Sequence, residues 1–367
     1  MTATRNAATS VPTTATRIAP ALRLGRASVR WRPRHLVVVV VAVVAALAVA
    51  VVSAGVGDFT MTPGRVLEVL AGQGTRREEL VILTIRLPRI LVALVVGLAL
   101  GMSGAITQTT ARNALASPDL LGVTAGASVG AVAVIVLGGS SGQVAGLLES
   151  IGVPAGALLG GFLAAALVLL IVRRAGTTGL QPILVGVGVS ALLGGLVSWM
   201  MTAASIDDAA RANVWLTGSL NGRSWGELWS LLVVVAICLP LLVPLSARLG
   251  TIDLGHDVAR GLGVSLLRTN GALLAVAVVL ASVTTAAAGP VAFVALVCPH
   301  LARLASGASR PPVFASGALG ALLVVASDLV ARTAIAPIQI PVGAVTALVG
   351  APFLLWLLVR TRREVRR

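Results

Sequence analysis

Asp328 and Arg332 stand four residues apart within an apolar run. On a helix that spacing puts both on one face, where they can pair across a turn. A carboxylate in such a setting is a candidate for function, and a structural ion pair is an equally good account of it. Arg86-Leu87-Pro88-Arg89 opens another apolar run, and the planar fork of a guanidinium suits two-point capture of a carboxylate. The other reactive types are scattered. His35, His256 and His300 have no partner at metal-ligand spacing, and Cys238 and Cys298 sit singly inside apolar runs, as small buried hydrophobes do. Neither a metal site nor a disulfide framework is expected. The chain contains no lysine, which excludes a phosphate-binding P-loop and a Schiff-base mechanism. No set of His, acid, Cys and Ser converges, so catalytic residues and a cofactor of the chain's own are expected to be absent.

The elements that position these side chains are membrane-spanning helices. Of 367 residues, 57% are hydrophobic and 11% charged, with mean hydropathy +0.99; a soluble domain carries about 25% charged residues. A bilayer's hydrocarbon core takes about 20 helical residues. Ten runs qualify, near 35–53, 88–110, 119–138, 153–172, 181–203, 229–248, 268–288, 291–306, 312–332 and 341–360. The expected fold is therefore an all-α polytopic membrane protein of about ten transmembrane helices. Residues 1–35 hold seven arginines without apolar periodicity and read as a disordered basic tail. Residues 36–360 form the transmembrane domain, and 361–367 a basic C-terminus.

Ten spans put both termini on one side. With the tail inside, twenty of the 28 arginines are inside too, which is the positive-inside bias of a cell-membrane protein with cytoplasmic termini. That sidedness accounts for the net charge of +15 without a nucleic-acid partner. Trp199, Trp215, Trp225 and Trp229 gather near one outer interface, where indole rings prefer to lie. Glycines four apart, such as Gly97 with Gly101 and Gly126 with Gly130, let helix backbones approach closely in lipid. Ala288-Gly289-Pro290 suggests either a broken span beside a pathway or a plain helix start after a turn.

Three blocks go further. The first runs from Arg86-Leu87-Pro88-Arg89 to Arg112-Asn113-Ala114-Leu115-Ala116-Ser117-Pro118-Asp119 and Leu121-Gly122-Val123. The second is Leu254-Gly255-His256-Asp257-Val258-Ala259-Arg260-Gly261-Leu262-Gly263-Val264, in a cytoplasmic loop at about 252–266. The third links Ala288-Gly289-Pro290, Cys298-Pro299-His300-Leu301-Ala302-Arg303, Asp328-Leu329-Val330-Ala331-Arg332, Pro341-Val342-Gly343 and Gly350-Ala351-Pro352-Phe353. In this order the blocks resemble the FecCD (BtuC-like) family, the permease subunits of type II ABC importers for ferric siderophores, haem and cobalamin. The resemblance covers about residues 36–360.

It implies a homo- or heterodimer of ten-helix permeases, two cytoplasmic ATPase subunits that hold the ATP and magnesium, and a solute-binding protein docking from outside. Gly255, Asp257, Ala259, Arg260, Gly261, Leu262 and Gly263 would form the loop that fits the ATPase. Asn113 and Leu115 would line the cytoplasmic gate; capping by Asn and burial of Leu is the plainer account. Ala114 stands where the family has Pro and Ser117 where it has an acid, which leaves the turn less rigid. A second gate segment maps weakly near Thr177–Gly179. Arg86, Arg89 and Arg332, expected at the outer surface, would dock acids of the binding protein. A ferric siderophore is the leading cargo, with haem or cobalamin as alternatives. An ion-coupled secondary transporter fits less well, because only Asp328 could titrate within a span and Arg332 lies one turn away.

Overall fold

The computed structural model of the chain describes residues 21–24, 27–30, 33–57, 59–138, 145–174, 181–252, 261, 265–335 and 338–365. It divides into residues 1–33 and 34–367. In the first unit Ala21–Leu24 (β1) pairs antiparallel with Ala27–Arg30 (β2). These eight residues are the described part of the segment expected as a basic tail before α1.

The second unit is helical. Helix α1 is Pro33–Gly55. Outside the expected spans come α2, Pro63–Leu70, and α3, Arg76–Glu79. Thr62 and Thr75 cap them, Thr75 through a reciprocal capping box with Glu78, which satisfies two otherwise orphaned donors. Arg65 ties the two helices together, meeting Glu78 at 3.0 and 2.8 Å and Glu68 at 2.8 Å. From Leu80 the chain continues as a π-helical stretch to Arg86 and then as α4, Leu87–Ala111. The span expected at 88–110 is thus the inner part of a longer rod.

After a 3-10 turn, Pro118–Leu121, follow α5 (Val123–Gly138), α6 (Ala145–Arg174), α7 (Gln181–Ala203), the unforeseen α8 (Ile206–Leu216) and α9 (Trp225–Ile252). Helices α10 (Leu266–Ala288), α11 (Val294–Ser306), α12 (Val313–Thr333) and α13 (Val342–Val365) complete the chain. Among the described residues seven helices are long and apolar enough to cross a membrane; Val123–Gly138, Val294–Ser306 and Val342–Leu357 are shorter apolar helices. Ten apolar helices are there, but three fall below a full span.

Backbone proximity holds the core. A Cβ on Gly97 would stand 2.2 Å from Gly320 O, and one on Gly101 2.1 Å from Ser316 O, so α4 and α12 touch main chain to main chain. Gly126 and Gly130 meet Gly160 and Gly156 on α6 in the same way. Ser103 Oγ donates to Ala277 O at 2.7 Å, tying α4 to α10. Rod 76–111 and α10 are mostly enclosed, whereas α1 and α7 expose apolar side chains such as Val41, Val44, Leu184 and Leu192.

Candidate functional site

The π-helical stretch sets up the N-terminal end of α4. Leu87 N–H bonds to Ile82 O and Pro88 has no N–H to give. The Leu83 carbonyl instead accepts from Trp225 Nε1 at 3.1 Å. The widened turn delivers Arg86 and Arg89 inward: they are 8% and 9% exposed. Arg86 donates to Ala54 O at 2.7 Å and Phe59 O at 2.8 Å, closing the end of α1.

Arg89 reaches across to α12. Its Nε donates to Asp328 Oδ1 at 3.0 Å, with Nη2 2.9 Å from the same oxygen. Its Nη1 donates to Gln339 Oε1 at 2.9 Å and to Asn221 Oδ1 at 3.4 Å. Arg332 Nε lies 3.2 Å from Asp328 Oδ2, an ion pair without hydrogen-bond alignment. Arg332 Nη2 donates to Ser53 O at 3.1 Å and to Ser53 Oγ. Asp328 is fully buried. The expectation of three surface arginines is thereby corrected: burying their guanidiniums satisfies a buried carboxylate and several backbone carbonyls that lipid could not. One clasp joins the ends of α1, α4 and α12 to the loops at 217–224 and 334–341. Ser53, Asn221 and Gln339 were missed from sequence. The only signal for Gln339 is a lone amide between Ile338 and Ile340.

At the opposite end of α4, Arg112 adopts a left-handed conformation with φ 50° and closes the helix. Asn113 Oδ1 accepts from Leu115 N at 2.9 Å, a side-chain turn that does the work a proline does elsewhere. Leu115 is exposed rather than buried. Of the coupling-loop residues only Gly261 is described, helical and exposed; Gly255, Asp257, Ala259, Arg260, Leu262 and Gly263 lie outside the described residues, as does 177–179.

Between these ends, two helices begin at breaks. Gly289 has φ +71° and Phe293 φ +65°, and α11 starts only at Val294, three residues later than the expected span. A Cβ at Gly289 would sit 2.5 Å from Trp215 O, so the close approach as well as the dihedral needs glycine. Opposite, Gly122 ends the 3-10 turn before α5. The two breaks face one another across a cavity of about 300 Å³ lined by residues that include Asp119, Thr124, Pro290 and Phe293. Thr124 Oγ1 donates to Asp119 Oδ1. Interrupted helices of this kind border pathways in transporters. Among the described residues no three His, Cys, Asp or Glu side chains gather where they could hold a metal.

Known proteins resemble this chain in sequence and in arrangement. The profile of the FecCD transport family matches residues 42–360. The chain belongs to that family. It is 37% identical over 308 residues to the ferric enterobactin transport system permease protein FepG of Escherichia coli (strain K12), covering 84% of this chain and 91% of the relative. It is 35% identical over 328 residues to the iron(3+)-hydroxamate import system permease protein FhuG of Bacillus subtilis (strain 168), covering 89% and 98%. A solved chain described as an inward-facing conformation of a metal-chelate type ABC transporter superposes with TM-score 0.77 at 30% identity, covering 89% of this chain and 99% of that one. This FecCD-family chain is a multi-pass membrane permease.

Proposed function

We propose that the chain is the permease subunit of an ABC importer that carries a ferric siderophore into the cytoplasm, driven by ATP hydrolysis on a separate subunit. The observation that carries the reading is the family match over 42–360 together with relatives named for ferric enterobactin, hydroxamate and dicitrate transport. A second permease chain would complete the pathway, two ATPase subunits would bind the loop at 252–266, and Asn113 and Leu115 would border the inner gate. A solute-binding protein would dock outside. The exposed Asn221 and Gln339, which Arg89 Nη1 holds, would lie on that face.

The test is uptake of radiolabelled ferric siderophores, haem and cobalamin by a deletion strain and its complemented parent. Loss and rescue of siderophore uptake alone is expected. Loss confined to haem or cobalamin overturns the cargo, and unchanged uptake of all three overturns the importer reading. Coupling is read separately. Gly261→Trp or Ala259→Arg should abolish co-purification of the ATPase while the permease still inserts; full recovery with both variants removes the loop from the mechanism.

A further inference from the structure

Six arginines precede α1 and a seventh, Arg34, is its second residue, and the sequence has no acidic residue before Asp58. Sidedness needs a positive excess but not this density without a single counter-charge. The strand pair distributes part of it. Leu22 is opposite Val29 and Leu24 opposite Ala27, while Arg23 is opposite Ser28 and Ala21 opposite Arg30. Strand alternation therefore assigns positions 22, 24, 27 and 29 to one face of the ladder and 21, 23, 28 and 30 to the other.

Chain length limits where this pair can go. From Arg30 to Pro33, the first residue of α1, three residues extend at most about 11 Å. That is close to the screening length of about 8–10 Å at physiological salt. Wherever α1 enters the bilayer, Arg30, Arg32 and Arg34 stay within the potential of an anionic surface. We infer that the N-terminal segment is an electrostatic anchor for anionic lipid headgroups at the surface where α1 enters the bilayer. An acidic protein face could attract the same arginines, but the residue that the structure places beside Arg34 is the uncharged Gly307 at the end of α11. The inference is independent of cargo and of the ATPase.

Full-length protein is placed in nanodiscs of phosphatidylcholine alone or of a mixture rich in phosphatidylglycerol, and cleavage of the tail by thermolysin is followed by mass spectrometry. Thermolysin cuts before leucine, isoleucine and valine, so Ile18, Leu22, Leu24 and Val29 remain cleavable when arginines are replaced. Each arginine held near an anionic surface is worth roughly fivefold in affinity. Phosphatidylglycerol should slow tail cleavage by about tenfold or more, and added salt should reverse it. Arg23→Gln, Arg26→Gln, Arg30→Gln and Arg32→Gln together should abolish the protection while leaving cleavage elsewhere in the chain unchanged. Equal cleavage in both lipids overturns the proposal, as does protection that ignores salt. Protection that arises only when the ATPase subunit is added, in either lipid, assigns the tail to a protein partner instead.

Discussion

Asp328→Asn tests the clasp. The substitution keeps size and one acceptor but removes the charge that two guanidiniums share. Arg89 lies 2.9 Å and Arg332 3.2 Å from the carboxylate, and at an effective dielectric of about 20 each pair attracts by about 5–6 kcal/mol. Desolvation of the three ions cancels most of that, at several kcal/mol per ion. What remains after the change is two buried arginines facing each other without their acid, and breaking a buried pair in this way costs about 3–5 kcal/mol. For a chain of this size that corresponds to a fall in Tm of roughly 4–6 °C, read by differential scanning fluorimetry in detergent or nanodiscs. Adding Arg332→Gln removes one uncompensated charge, so the double variant should regain part of the loss, a coupling that contacting residues show and distant ones do not. A Tm for Asp328→Asn within 1 °C of wild type (about 1 kcal/mol or less) refutes the clasp as a stabilising element. Equal additive losses in the double variant refute the shared carboxylate.

Three further outcomes are expected. Cysteines placed at Asn113 and Leu115 should cross-link to the second permease chain in a nucleotide-dependent manner, and cross-linking indifferent to nucleotide leaves Asn113 only a turn-former. Gly101→Leu should abolish stable expression, because even a Cβ there would meet Ser316 O at 2.1 Å; overpacking of even a yielding core costs about 1–3 kcal/mol, and fluorescence-detection gel filtration of a tagged variant reads the result. At the head of α8, the Ser205 hydroxyl and then Arg211 hold the Asp208 carboxyl below the usual carboxylate range. A depressed folded value contributes stability above the unfolded pKa of about 4, lost as pH falls through the folded value. Asp208→Asn should therefore flatten the acid limb of the Tm–pH profile without moving it at pH 7 to 8 relative to its own plateau.

Hydrophobic run length and arginine distribution were enough to read this protein as a polytopic helical membrane chain, because a bilayer demands about 20 apolar residues per crossing and satisfies no stray backbone group. The motif order around Arg86, Gly255 and Asp328 carried the family. Helix α7 emerged at the expected 181–203, since an uninterrupted apolar run has one solution in lipid. The short helices were hidden: α2 and α8 owe their ends to Thr62 and Ser205 caps and alternate polar with apolar residues, a pattern that a search for unbroken apolar runs passes over. The break at Gly289–Phe293 could be suspected from Ala288-Gly289-Pro290, but its length depended on Trp215 and Gly350, which pack against it from distant helices. The greatest difference lies in the arginines. Sequence placed Arg86, Arg89 and Arg332 at the outer ends of spans, where a long side chain can snorkel to water or turn inward. Only the tertiary structure decided the direction, because Asp328, Ser53, Gln339 and the freed carbonyls of Ala54 and Phe59 come from segments up to 279 residues apart in sequence, and their convergence makes the interior the better solvated place for those charges.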